Sequence, residues 1–347
     1  MNQSGLIDIK SLNPLEMEEL VKSLGEKQYR AKQLFRWLHA NGVLRFDEMT
    51  NLSKSFQAGL EERCYITGAA LSKRQTDSDR TEKFLFEFSD GNTIETVLMR
   101  HDYGNSLCIS SQVGCRMGCR FCASTIGGRV RNLTASEMLE QVYAAQRLTD
   151  ARVDSIVMMG IGEPLDNFEQ LVRFLELIRD PDGLGLSHRH LSLSTCGLVD
   201  EMIVLAKYRY QLTLSVSLHA ADDETRNLLM PVNRKYPIGE LMKACRYYFQ
   251  ETGRRISYEY ALIKGINDSV QQAKKLSTLL KGQNCHVNLI PVNPVSESKF
   301  LRSPPENITA FYDILSSAGI QTTRRREMGA GIDAACGQLR RKERLGR

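Results

Sequence analysis

Three cysteines, Cys115, Cys119 and Cys122, stand in the run Gln-Val-Gly-Cys-Arg-Met-Gly-Cys-Arg-Phe-Cys-Ala. Thiolates spaced this closely can hold three irons of a [4Fe–4S] cube, whose ligands are normally four cysteines. The fourth iron is then left for a small molecule carrying an amino and a carboxylate group. That is the arrangement used to cleave S-adenosylmethionine by one-electron reduction. A structural zinc site with a distant fourth ligand satisfies the same spacing, because thiolates bind both metals. Phe121 and the small residues Gly114 and Gly118 favour the cluster, since glycines let a loop wrap closely around a large cofactor.

Other candidates fall at the ends of expected strands. Gly162-Glu163-Pro164 offers a carboxylate that could accept hydrogen bonds from a ligand ammonium group, although alone it reads as a turn. Ser194, Ser217-Leu218-His219 and Asn293 close three further strands, and each by itself reads as a structural residue. Cys108 lies seven residues before the triplet, and Cys336 lies in the small-residue segment Ile-Asp-Ala-Ala-Cys-Gly-Gln-Leu. Spacing alone leaves Cys336 open as a fourth zinc ligand. Cys64, Cys196, Cys245 and Cys285 read as buried small hydrophobes. Glu95, among β-formers, reads as an exposed strand glutamate.

The elements that must position these residues follow from periodicity. Residues 1–65 read as a helical unit: Met17, Leu20, Val21 and Leu24, then Ala31, Leu34, Phe35 and Leu38, repeat at helical spacing. Lys27, Arg30, Lys32 and Arg36 make the second helix basic. Its off-stripe Trp37 either stacks on a nucleic-acid base or packs on the next domain. Residues 66–105 contain a hairpin, with Phe84, Phe86 and Phe88 alternating before an Asp90-Gly91 turn. From 106 to 330, strands and helices alternate, with strands near 155–159, 191–194, 212–218, 256–262, 287–292 and 321–325. Thr134 and Glu137 form a capping box, and Asn267-Asp268 opens a later helix. Repeated βα units mean α/β architecture with a parallel sheet: a partial (β/α)6 TIM-like barrel with ligands at the carboxyl ends of its strands. Residues 331–347 form a C-terminal segment.

Composition agrees with a folded enzyme. The chain has 347 residues, 42% hydrophobic and 25% charged, with net charge +5, which excludes extended disorder. A pI near 8.7 permits a nucleic-acid partner without demanding one. No apolar run approaches the ~20 residues of a membrane span, and the polar start does not resemble a signal peptide. Nine cysteines, an odd number without framework spacing, fit a reducing, cytoplasmic setting.

The motifs together resemble the RlmN/Cfr family of radical S-adenosylmethionine enzymes that methylate adenine in RNA. The cysteine run, Met-Gly-Ile-Gly-Glu-Pro-Leu-Asp-Asn, Leu-Ser-Thr-Cys-Gly, Val-Ser-Leu-His-Ala and Ile-Asp-Ala-Ala-Cys-Gly-Gln-Leu match in order and spacing. The likeness runs from about residue 15 to 340 and departs at Met328, where a polar residue is more usual. It implies that Cys115, Cys119 and Cys122 bind the [4Fe–4S] cluster. It implies that Gly162, Glu163, Ser194, Ser217, Leu218, His219 and Asn293 contact S-adenosylmethionine. Cys336 would carry the methyl group, Cys108 would resolve the protein–RNA adduct, and Glu95 would be the acid/base residue. The helical unit would be an accessory RNA-binding domain. The likeness is strongest to the branch that methylates carbon 2 of adenine in 23S ribosomal RNA and of adenine 37 in certain transfer RNAs. That branch uses two S-adenosylmethionine molecules per turnover and a flavodoxin-like electron donor. A monomer is the default expectation. The alternatives are the carbon-8 branch, which confers antibiotic resistance, and a non-catalytic metal protein that only binds RNA.

Overall fold

A computed structural model describes residues 5–292, 300–325, 329, 331–332 and 339–340; Asn293, Met328 and Cys336 lie outside the described residues. The N-terminal unit contains β1 (Ile7–Asp8), α1 (Pro14–Ser23), α2 (Tyr29–His39), α3 (Lys54–Arg63) and β2 (Cys64–Tyr65), with β1 and β2 paired in parallel. A reciprocal capping box between Asn13 and Glu16 starts α1. The predicted stripes of α1 and α2 are buried in a common core. Trp37 packs against that core, and its indole N–H donates to Asn51 Oδ1 at 2.6 Å. The tryptophan is therefore tied within its own unit.

The chain continues as an antiparallel meander of β3 (Ala70–Thr76), β4 (Glu82–Glu87), β5 (Thr93–His101) and β6 (Gly104–Cys108). A short ribbon follows, β7 (Gln112–Gly114) against β8 (Arg129–Asn132). Then come α4 (Ala135–Thr149), β9 (Ser155–Met158), α5 (Phe168–Arg179), β10 (Leu191–Thr195), α6 (Val199–Lys207) and β11 (Thr213–Ser217). The series ends with α7 (Asp223–Leu229), α8 (Ile238–Thr252), β12 (Ile256–Leu262), α9 (Val270–Leu280), β13 (Cys285–Pro291), α10 (Pro305–Ser317) and β14 (Gln321–Arg324). Thr134 and Glu137 cap α4 as expected. Ser269, rather than Asn267-Asp268, caps α9. Asn267 is instead buried, donating to the carbonyls of His219 and Ala261.

One ten-stranded sheet runs β14-β13-β12-β11-β10-β9-β6-β5-β4-β3, parallel from β14 to β6 and antiparallel thereafter. The hairpin is thus hydrogen-bonded into the barrel sheet. Register sorts the two faces, because partners in a ladder project to one side. Leu193, Leu214 and Ile256 form a row on the outer face, toward the helices. The next row, Ser194-Ser215-Ser257-His286, and then Ser217-Glu259-Asn288-Thr323, face the concave side. A closed barrel fills its interior with bulky branched residues. These rows on the concave face are instead polar, which suits a polar ligand.

Two units meet across a buried seam. Lys10 Nζ is fully buried, 2.7 Å from Glu140 Oε2 and 3.0 Å from the Thr67 carbonyl. Arg147 also binds Glu140, and Arg173 pairs with Glu16. His39 Nδ1 lies 2.8 Å from the Tyr143 hydroxyl. At the rim, Lys32 pairs with Asp182 at 3.0 Å.

Candidate active site

The cysteine loop is closed at its base by the β7–β8 ribbon. Gly114 has φ +78, and a Cβ there would meet the Gly128 carbonyl oxygen at 2.1 Å, so only glycine fits. The Cys115 N–H donates to that same carbonyl at 3.1 Å. Inside the loop, Thr125 Oγ1 donates to the carbonyls of Cys119 and Cys122 at 3.1 and 2.9 Å. The far side is pinned to the barrel: the Arg120 N–H reaches the Leu229 carbonyl, and the Phe121 ring meets the His219 ring edge-on at 4.9 Å.

The three thiols share this loop and feel one another's charge. Burial pushes the Cys115 thiol up to about 12 and Cys119 well above its ordinary value, with the neighbouring cysteines adding to both. Thiols in such surroundings ionise only when a cation compensates them. Among the described residues, no three His, Cys, Asp or Glu side chains stand in a ready-made ligating geometry. The donor set fits an iron–sulfur cluster nonetheless: three soft sulfurs on one loop, two of them buried.

Gln112 couples this loop to the Gly-Glu-Pro turn. Its Oε1 accepts from the Glu163 N–H at 2.9 Å, and its Nε2 donates to Asp166 at 2.9 Å. Asp166 also binds Arg116 and Arg129. Gly162 has φ +111, and a Cβ there would lie 2.6 Å from Gln112 Cβ. The Glu163 carboxylate is buried, accepting from Leu165 N–H at 3.1 Å and Cys196 N–H at 2.7 Å. Burial raises its pKa, against the pull of these donors. Cys196 is therefore more than a buried hydrophobe. Burial and the Glu163 charge raise its thiol, and Cys119 and Cys115 add to the effect.

His219 adopts φ 55 at the end of β11, and its Nδ1 accepts from the Ala261 N–H at 2.9 Å. Burial, helped by the Arg226 charge, lowers its pKa to about 3, so the ring is neutral with its proton on Nε2. Leu218 is buried beside it, while Ser194 and Ser217 are half-buried on the concave face. Asn293 cannot be placed, as it lies outside the described residues.

Register places two further candidates together. Cys108 pairs with Val97, and Leu85 pairs with Glu95, so Cys108 and Glu95 share the concave face of neighbouring strands. The expectation that Glu95 is exposed is corrected: the residue is 3% exposed, and its Oε2 lies 3.0 Å from Lys83 Nζ. The Ser110 hydroxyl donates to its carbonyl at 2.6 Å. The Arg340 N–H donates to Glu95 Oε1 at 2.7 Å. Gly329 and Gly331 amides donate to Asp79 and Asp77 at 2.9 and 2.8 Å. Carboxylates of the meander thus hold the chain on both sides of residues 333–338. Periodicity missed this contact because both faces of β5 are covered.

Residues 109–276 match the radical SAM superfamily, and residues 7–66 match the ribosomal RNA large subunit methyltransferase N-terminal domain. The chain is 53% identical over 336 residues to a probable dual-specificity RNA methyltransferase RlmN of Lachnoclostridium phytofermentans, covering 96% of this chain and 94% of the relative. It is 52% identical over 342 residues to a protein so described from Desulforamulus reducens, with 98% of each covered. A crystal structure of a radical SAM methyltransferase from Sphaerobacter thermophilus superposes with TM-score 0.92 at 43% identity, over 96% of this chain and 98% of that one.

Proposed function

The chain belongs to the RlmN family of dual-specificity RNA methyltransferases within the radical SAM superfamily, and from that premise we propose that it methylates carbon 2 of adenine in 23S ribosomal RNA (adenine 2503) and of adenine 37 in certain transfer RNAs. The observation that supports the proposal is that Gln112 ties the three-cysteine strand-loop segment to the Glu163 turn, while strand register sets Cys108 and Glu95 on one face of the adjoining sheet. Carbon 2 lies between two ring nitrogens and is electron-poor, so a methyl acceptor of the protein must take the nucleophile's part.

Cys115, Cys119 and Cys122 hold the cluster. Cluster and S-adenosylmethionine together supply the one-electron chemistry. Glu163, fixed by two backbone amides, presents its carboxylate to the ligand's ammonium group. Gly162 lets the turn pack tightly on Gln112, and Ser194, Ser217, Leu218, His219 and Asn293 would contribute the ligand's remaining contacts. The neutral His219 offers an Nε2–H donor. Cys336 accepts a methyl group as a thiolate. The four-residue span from it to Arg340 reaches at most about 14 Å, and the Arg340 amide is held on Glu95. Glu95 takes the proton lost from the adduct. Cys108, as a thiolate, then attacks the Cys336 sulfur; the S–S bond forms as the S–C bond to the RNA breaks, and the departing carbon takes up a proton to become the methyl group of the product. Two S-adenosylmethionine molecules are consumed per turnover, a flavodoxin-like donor supplies electrons, and the enzyme acts as a cytoplasmic monomer. No helix among the described residues is long and apolar enough to cross a membrane.

Anaerobically purified protein should contain iron and acid-labile sulfide, and should convert the RNA to 2-methyladenosine, read by nucleoside mass spectrometry. An 8-methyladenosine product would move the chain to the carbon-8 branch. Stoichiometric zinc without sulfide would overturn the cluster.

A further inference from the structure

Arg226 is fully buried on α7. Its guanidinium donates from Nε to the Leu218 carbonyl at 3.2 Å and from Nη2 to the carbonyls of Cys196 and Ser217 at 2.7 and 3.2 Å. Nη1 donates to Asn233 Oδ1 at 2.9 Å and the Tyr236 carbonyl at 3.4 Å. All these partners are neutral, and among the described residues no carboxylate pairs with it. Asp223 stands one step away, bound to Asn233 Nδ2 at 2.9 Å. Hydrogen bonds satisfy the donors but leave the charge uncompensated, and a buried charge without a counter-charge is strongly unfavourable.

The place where this cation sits explains why it is kept. Three of its four carbonyl partners, Cys196, Ser217 and Leu218, stand at the carboxyl ends of β10 and β11. The helix that carries it also holds the cysteine loop, the Leu229 carbonyl of α7 accepting from the Arg120 N–H at 3.0 Å, one residue from Cys119. Three thiolates with a [4Fe–4S] core carry a net negative charge that grows by one when an electron enters. A fixed buried cation favours the more negative, reduced form.

We propose that Arg226 is a positioning residue that serves as the counter-charge of the iron–sulfur site and raises its reduction potential. The inference rests on the cluster reading above. The redox step is a single electron passing from the reductant to the cluster, with no bond made or broken.

The test is a dithionite potentiometric titration of the reconstituted full-length protein, followed by the EPR signal of the reduced cluster. Wild-type protein with no such signal would fail the cluster reading itself, before Arg226 is at issue. Given the signal, Arg226→Gln should shift the midpoint to more negative potential, and Arg226→Lys should restore much of it. Asp223→Asn, near-isosteric and removing a nearby opposing charge, should shift it the other way. Structural damage does not move the potential in both directions according to charge. If Arg226→Gln fails to assemble, the Asp223→Asn arm decides, an unshifted midpoint there overturning the proposal. Midpoints unchanged in every variant that assembles would overturn the proposal.

Discussion

Lys10 and Arg226 are both fully buried cations, and the fold treats them in opposite ways. Lys10, in the seam between the N-terminal helices and the sheet, has a carboxylate at 2.7 Å. Burial still lowers its pKa, with Glu140 pulling the other way. Arg226, at the carboxyl ends of the strands, donates among the described residues to carbonyls and an amide oxygen. In the seam, charge is neutralised within the protein, and the result is a fixed docking geometry. At the site, charge is left for a ligand to neutralise. Buried cations of equal exposure thus carry different information, and the partner list tells them apart.

The largest effect that would sharpen this contrast is at the site. Cys119→Ala should abolish iron–sulfur absorbance and reduce methylation to background, while leaving the seam and the thermal unfolding of apo-protein nearly unchanged. A large loss of apo-protein stability would break the division, by showing that the loop is structural. Next is the seam: Glu140→Leu strands Lys10 and should destabilise by about 3–5 kcal/mol in chemical denaturation. Adding Lys10→Met should recover most of that loss, because an apolar pair replaces a buried ionic one.

A third measurement uses one histidine from each region. Burial lowers both His39 and His219 from 6.5 to about 3. Between those values each ring binds fewer protons folded than unfolded. Stability is therefore level above pH 6.5 and falls as the pH drops below it, by up to about 1.4 kcal/mol per pH unit and histidine. His39→Gln should flatten part of the slope between pH 7 and 5; an unchanged slope would show that the seam histidine does not contribute. The smallest effect is at the seam's rim: Lys32→Ala, removing the solvated pair with Asp182, should cost under about 0.5 kcal/mol.

Much of the fold was legible because it rests on local signals. The Thr134–Glu137 capping box, the left-handed Gly253 after α8 and the apolar run Ile256–Leu262 each act within a few residues. The cysteine triplet was legible for the same reason. What escaped depends on partners distant in sequence. Arg226 sits in Asp-Asp-Glu-Thr-Arg-Asn, which looks like a solvated helix start; its burial comes from carbonyls on two strands and the turn before α8. Glu95 looked exposed because Arg340, 245 residues away, covers it. Cys196 reads as a hydrophobe until Glu163, 33 residues earlier, is placed against its amide.

The Lys10–Glu140 pair also sets a schedule for the newly made chain. The partners are 130 residues apart, and at about 5–20 residues per second the ribosome needs roughly 7–26 s to deliver the second after the first. For that interval the lysine has no carboxylate to meet. The helices that follow it can gather around Met17, Leu34 and Phe56, but they have no wall to dock on until α4 emerges. Attachment of the N-terminal unit is thus timed by translation of the core, and a premature stop before α4 would release a fragment with an open apolar face.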